Sequence, residues 1–219
     1  MKEKAQIIYD RLLEHFGYPE WKTLPAVDEL VNTIISQNTN DKNRDIAFAR
    51  LKAAFPTWDD VRDAPTEDVI ECIRYAGLGT QKAPRIRKVL REISEKNPDY
   101  DLSFLRDQDP AEARAWLTSF NGVGLKTASI VMLFSLGIPA FPVDTHIYRV
   151  TGRLGLRPEK MTVEQTHDHM ASLYSPEVYG PAHINLITLG RRICDARKPK
   201  CEACFLNDLC DAYLKTEGQ

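Results

Sequence analysis

The chain has little that would place it in a membrane, a sheet or a disulfide framework. No apolar run reaches the roughly 18 residues that a membrane helix needs. The stretch "ASIVMLFSLGIPAFPV" comes nearest and is broken by Gly137, Pro139 and Pro142. Strand signals are almost missing, because "FPV" at Phe141–Val143 is short and cut by proline. No internal repeat or low-complexity tract stands out. Net charge is only −2, which speaks against a generic nucleic-acid coat but leaves room for a local basic face. The first segment, "MKEKAQIIYDRLLEHF", lacks the unbroken apolar core and small-residue cleavage site of a signal peptide, so a cytosolic setting is expected. What is present is an ordinary globular composition. Apolar residues make up 43% and charged residues 27% of 219 positions, enough for one large domain or two small ones with a true core.

The dominant signal is helical. "AVDELVNTIISQ" is apolar at Val27, Leu30, Val31, Ile34 and Ile35, the spacing of one helix face. "DKNRDIAFARLKAAF" follows from a candidate cap at Asp41. "TWDDVRDA" and "TEDVIECIRYAG" each begin with Thr at an expected N-cap, with a carboxylate in the first turn. "DPAEARAWLTSF" places Pro110 at a first helical position after Asp109. "GPAHINLITLGRRIC" is another amphipathic segment. The pattern predicts an all-α protein with about ten helices. The breaks "GYPEWKTLP" and "GIPAFPVD" enclose a central block, and the two outer portions are expected to pack together as a discontinuous second domain.

The segment "NGVGLKTAS" spends two glycines, Gly122 and Gly124, on either side of Val123. Such a turn between helices directs backbone N–H groups outward, where they can grip a phosphate without reading a base. A plain helix–helix turn ending in glycine fits the stretch equally well. Lys126 follows at a helix start, where the positive dipole end disfavours an ammonium ion. A free amine there can attack a sugar carbon and form a Schiff base. Asp144 opens "DTHIYRVTGRLG" and suits an N-cap; a carboxylate there can also serve as a base or stabilise a developing cation.

Four of the five cysteines, Cys194, Cys201, Cys204 and Cys210, form C-x6-C-x2-C-x5-C. In a reducing compartment this crowding points to a metal rather than disulfides. The spacing alone suits either tetrahedral zinc or a 4Fe-4S cluster. The loop "DARKPK" between the first two cysteines carries Arg197, Lys198 and Lys200, a basic finger able to meet DNA phosphates. "KAPRIRKVLRE", from Lys82, is a second basic stretch and reads either as a phosphate-facing surface or as a solvated helix face. Cys72 is expected to be a buried helix residue, and the five histidines show no ligand pattern.

Four motifs occur together and in order: "IISQNTND", "GLGTQKA", "FNGVGLKTA" with "VDTHIYRV", and the cysteine cluster. Taken together they resemble the endonuclease III family of DNA glycosylases across about residues 26 to 210. That resemblance implies a helix–hairpin–helix DNA glycosylase fold. A six-helix barrel domain at 23–138 would carry the hairpin, and residues 1–22 and 139–219 would form an iron–sulfur cluster domain, with a cleft between them. It implies a bifunctional glycosylase and abasic-site lyase acting on oxidised pyrimidines in base excision repair, with Lys126 as Schiff-base nucleophile and Asp144 as its carboxylate partner. Gln37 and Leu78 match positions that wedge into the gap left by a flipped base. Gly122, Val123 and Gly124 match the DNA-gripping turn, and the four cysteines match the ligands of a 4Fe-4S cluster. The implied partner is double-stranded DNA with damaged bases or abasic sites, bound by a monomer in the cytoplasm at the nucleoid. Two other readings stand beside it: a monofunctional mismatch glycosylase, and a non-catalytic DNA-binding module with structural zinc. Asn32 in "NTIISQ", where adenine-excising relatives carry an acid, argues against their branch. Asn121 where proline is frequent, and Asn40 where aspartate is frequent, depart from the family pattern.

Overall fold

The computed structural model describes residues 1–217, and among them there is no strand. The helices in chain order are α1 (Lys2–Phe16), α2 (Ala26–Ser36), α3 (Asp41–Ala54), α4 (Trp58–Asp63), α5 (Thr66–Ile73), α6 (Gly79–Lys96), α7 (Pro110–Thr118), α8 (Leu125–Ile130), α9 (Thr145–Leu154), α10 (Val163–Leu173), α11 (Tyr179–Arg192) and α12 (Asp211–Glu217). The protein is all-α, with twelve helices rather than about ten among the described residues. The periodic pattern does not single out α10 or α12. The start of α10 is nonetheless written locally, as a reciprocal cap between Thr162 and Gln165. The chain divides into two compact units, Thr23–Ile138 and the pair Met1–Lys22 with Pro139–Gln219.

In the unit Thr23–Ile138, α2 supplies the central apolar stripe. Leu30, Val31, Ile34 and Ile35 are fully buried and pack toward α3, α6 and α8. Caps fix where the surrounding helices begin. Thr57 and Asp60 form a capping box at α4, and Asp109 accepts from the Ala111 N–H at 2.8 Å to start α7. Two expected caps fall elsewhere. The side chain of Asn40, not Asp41, accepts from the Asn43 N–H at 2.9 Å and opens α3. Helix α5 starts after Pro65, so Thr66 lies inside its first turn and its hydroxyl receives the Arg87 guanidinium instead.

Helix α6 contains a buried cation. Lys82 is 2% exposed and sits on the face that also buries Ala83, Ile86, Val89 and Ile93. Its Nζ donates to the carbonyls of Ile35 and Ala76, each at 2.8 Å. Those carbonyls lie at the end of α2 and just ahead of the Gly77–Leu78 turn. One side chain therefore ties two loops whose own helices cannot satisfy these acceptors. Burial lowers the Lys82 pKa.

The unit built from both outer portions is held by contacts between distant parts of the sequence. Ile8 and Leu12 of α1 and Leu186 of α11 are fully buried, and α1 packs on α11, which packs on α9. Lys4 pairs with Asp211 at 2.6 Å. Arg11 reaches both carboxylate oxygens of Asp208 at 2.6 and 2.9 Å. The Asn185 amide donates to the Gly17 carbonyl at 3.0 Å.

Lys82→Met keeps the apolar stem and strands two buried carbonyls. It is expected to lower the unfolding free energy by about 2–3 kcal/mol, read as a lower urea midpoint with unchanged slope.

Candidate functional site

Helix α7 is followed by Phe120, which is 2% exposed and anchors the turn that leads to α8. The two glycines of this turn serve different ends. Gly122 lies at φ +91°, a conformation side chains rarely adopt, and a Cβ there would come within 2.6 Å of Arg85 Cδ. Gly124 is extended at φ −89° and ψ 176°, and a Cβ there would meet nothing within 4 Å. Neither backbone geometry nor internal packing demands glycine at 124; its effect is to leave the outer surface of the turn clear. Val123 differs from the outward-facing reading of this turn. Its side chain is buried and its N–H donates inward to the Phe120 carbonyl at 3.1 Å. The outward donors are those of the α8 start. The first bond of that helix runs from Ala128 N–H to the Gly124 carbonyl at 3.0 Å, so the N–H groups of Leu125, Lys126 and Thr127 have no acceptor within the helix. Lys126 is the second residue of α8 and half-buried, above the buried Thr127, Ala128 and Ser129.

Gln37 and Leu78 occupy the two loops that Lys82 ties together. Leu78 takes a left-handed backbone, φ 53°, and remains 45% exposed. A large apolar side chain held outward in a strained backbone is not a core leucine. Gln37 closes α2, and its Oε1 accepts from Arg85 Nη1 at 2.7 Å. The structure thus brings Gln37 and Gly122 together through Arg85. "KAPRIRKVLRE" is consequently not a uniformly solvated basic face. Lys82 and Arg85 are taken up inside the unit, as is Arg87, which donates to the Arg62 carbonyl at 3.2 Å.

In the other unit, Asp144 is half-buried and its Oδ1 accepts from the Ile147 N–H at 2.8 Å, capping α9. Two residues on, burial lowers the His146 pKa, and the Asp144 carboxylate partly offsets this. Of the other four histidines of this unit, His15 stacks on Phe205 with ring centroids 4.1 Å apart, and three hold backbone. His167 meets the Phe141 carbonyl at 3.0 Å, His169 that of Leu156 at 2.8 Å, and His183 that of Pro142 at 2.9 Å.

Cys194, Cys201, Cys204 and Cys210 all line one cavity of about 220 Å³, walled by apolar residues such as Val150, Leu154 and Leu189. Among the described residues, no group of three or more His, Cys, Asp or Glu side chains is arranged around a single metal ion. Four soft donors spread around a cavity of this size fit a cluster better than one tetrahedral ion. Burial, and then the neighbouring thiols, push the Cys201 and Cys204 thiols up. Loading a metal must therefore drive protons off these sulfurs. Arg153 braces the loop. It donates to Cys194 Sγ at 3.3 Å, to the Asp195 carbonyl at 2.6 Å and to the Ala196 carbonyl at 2.9 Å. Arg197, Lys198 and Lys200 are exposed on this loop, which the Asp195 carboxylate shapes by accepting from the Arg197 and Lys198 N–H groups. Cys72 stands apart, half-buried in α5 rather than fully buried, with its thiol pushed up by burial.

The sequence from residue 31 to 176 matches the HhH-GPD superfamily base excision DNA repair protein, and residues 194–210 match the iron–sulfur binding domain of endonuclease III. The chain belongs to the endonuclease III family. It is 36% identical to endonuclease III of Sulfolobus acidocaldarius over 88% of this chain and 85% of that protein. Its identity to the Escherichia coli K12 endonuclease III is 32%, covering 99% of each. A solved structure of a trapped endonuclease III–DNA covalent intermediate, an estranged-adenine complex, superposes with a TM-score of 0.85, 26% identity and 99% coverage of both chains. As a member of this family the chain is a DNA glycosylase and abasic-site lyase of base excision repair, binds DNA and carries a 4Fe-4S cluster. No helix among the described residues is long and apolar enough to cross a membrane.

Reading the sequence by motif misses Lys82, Arg85 and Arg153. Lys82 carried a usable signal, since it stands four and seven residues before Ile86 and Val89, in the register of the apolar face. Arg153 lies in the last turn of α9 and carries no local mark of its task. Arg153→Met is expected to weaken retention of iron about tenfold, measured as iron left after dialysis against a chelator, while α9 keeps its helical signal.

Proposed function

We propose that Lys126 is the nucleophile of a bifunctional reaction and Asp144 the carboxylate that serves it, on oxidised or ring-saturated pyrimidines in double-stranded DNA. The observation that carries this is the placement of Lys126. It is the one cation in the first turn of α8, directly after a turn whose outer surface is kept clear by Gly124. The target nucleotide leaves the stack, because C1′ is blocked inside the duplex. The Lys126 amine, as free base, forms a bond to C1′ as the bond to the damaged base breaks; the base departs with a proton. Ring opening gives a Schiff base between Nζ and C1′. Loss of a proton from C2′ then expels the 3′ phosphate by β-elimination, and water releases the enzyme. Asp144 supplies negative charge beside the cationic intermediates and a site for the proton. The trapped covalent complex of the family neighbour supports a covalent step of this kind.

In this reading the hairpin turn from Gly122 to Gly124 with the free N–H groups at the start of α8, and the basic loop of Arg197, Lys198 and Lys200, hold phosphates. Gln37 and Leu78 enter the gap left in the stack. Cys194, Cys201, Cys204 and Cys210 hold the 4Fe-4S cluster, which supplies a rigid clamp on the basic loop. The unit Thr23–Ile138 is the barrel domain with the hairpin, and the other unit is the cluster domain. The protein works as a monomer in the cytoplasm, at the nucleoid. Asn32 on α2, in place of an acid, disfavours adenine excision.

Borohydride added during reaction with a duplex carrying one oxidised pyrimidine is expected to give a covalent protein–DNA adduct. Lys126→Gln is expected to abolish it, and Asp144→Asn to slow it by about a hundredfold. An undiminished adduct in Lys126→Gln would overturn the assignment.

A further inference from the structure

Arg85 lies between two parts of the DNA-handling surface and belongs to neither motif. Its Nη1 donates to Gln37 Oε1 at 2.7 Å, and its aliphatic stem lies where a Cβ on residue 122 would be, with Cγ, Cδ and Nε all within 3 Å of that point. The guanidinium has donors only, so the Gln37 amide oxygen, and not its nitrogen, must face it. The amide orientation is thereby chemically fixed rather than chosen by solvent. The backbone beneath is fixed as well, because Lys82 holds the Ile35 carbonyl two residues before Gln37. One of the two lone pairs of Gln37 Oε1 is therefore taken by Arg85, while both donors of its Nε2 group are left to offer.

We infer that Arg85 is a positioning residue that sets the polarity of Gln37, so that the enzyme reads the base opposite the lesion through an acceptor atom on that base. This rests on the assignment of Gln37 to the gap in the stack. A freely rotating glutamine can match a donor or an acceptor and discriminates little. One whose oxygen is held toward Arg85 presents its two donors to the base and meets an opposing donor with its amide turned away, which is the costly case. Gly122 belongs to the same device: any side chain there would drive Arg85 off its seat, so the hairpin glycine also protects the orientation of Gln37.

The test is a double-mutant cycle on binding to four duplexes, each with a tetrahydrofuran abasic analogue opposite A, C, G or T. The measured quantity is the spread of Kd across the four. In the wild-type protein the strongest and weakest partners are expected to differ by about tenfold. Arg85→Met is expected to reduce that spread to about twofold. Arg85→Lys, which still donates to Oε1, is expected to retain most of it. Gln37→Ala should flatten the spread, and adding Arg85→Met in that background should change nothing further. Thermal midpoints of each variant register any loss of fold stability, which would not by itself alter the spread. A wild-type protein indifferent to the opposite base overturns the proposal. So does an Arg85→Met variant that weakens all four duplexes equally and by the same factor with or without Gln37, which marks Arg85 as a phosphate contact. If Gln37→Ala keeps the wild-type spread, the assignment of Gln37 fails and the proposal with it. If Gln37→Ala flattens the spread and Arg85→Met does not, the role of Arg85 alone fails.

Discussion

The two hydrogen bonds of the buried Lys82 amine are the constraint on which the loops at the end of α2 and ahead of α6 depend. Neither the Ile35 nor the Ala76 carbonyl has a donor in its own helix, and each is followed two residues on by a loop side chain, the half-buried Gln37 and the exposed Leu78. A long side chain entering from α6 satisfies both acceptors at once. The energetic logic is asymmetric. Forming the bonds adds modestly to stability, whereas leaving the carbonyls buried without a donor costs more. The lysine is thus better understood as a requirement of the loops than as a gain for the helix. Leu78 can then hold a left-handed backbone that would otherwise relax, because its neighbours are tied on one side and followed by α6 on the other.

Helix α6 extends this role beyond one bond. Its residues at 82, 85 and 92 reach in turn the loop carbonyls, the Gln37 amide and, from the Glu92 carboxylate, the Asn121 N–H at 3.4 Å. A rigid helix touching three otherwise separate turns sets their spacing, which short loops could not do for themselves. The substitution of Asn121 for the frequent proline is accommodated here: asparagine keeps the N–H that Glu92 accepts, and proline has none.

Most of the secondary structure was legible because apolar spacing and caps are local. The α2 stripe, the capping box at Thr57 and the Asp109–Pro110 start can each be read without knowing the tertiary fold. The errors arise where a polar side chain had two possible partners. Asn40 and Asp41 are both able caps, and the choice turns on one residue of register. Thr66 resembles a cap by type, yet Arg87 across the unit claims its hydroxyl. The family was legible because four motifs occur in order, whereas the cysteine spacing and the turn before Lys126, each taken alone, left two readings open. The chemistry of the site was hidden where the residue type misleads. A run of lysines and arginines reads by composition as a phosphate-facing surface or a solvated one, and only the helical register of Lys82 with Ile86 and Val89 betrays that one of them faces inward. The inward turn of Val123 was hidden for a related reason, since two flanking glycines say nothing about which way the residue between them turns.

The sharing of one unit between the first and last portions of the chain has a consequence for its biosynthesis. Residues 1–22 are made before Leu186, Asp208 and Asp211, which they pack against or pair with and which lie more than 160 residues further along the chain. Residues 23–138 meanwhile contain all their own partners and can condense while synthesis continues. Until α11 is made, Ile8 and Leu12 of α1 lack the helix they pack against. Docking of α1 therefore cannot precede synthesis of α11, and its ion pairs to Asp208 and Asp211 form only after the cysteine-bearing segment has been made.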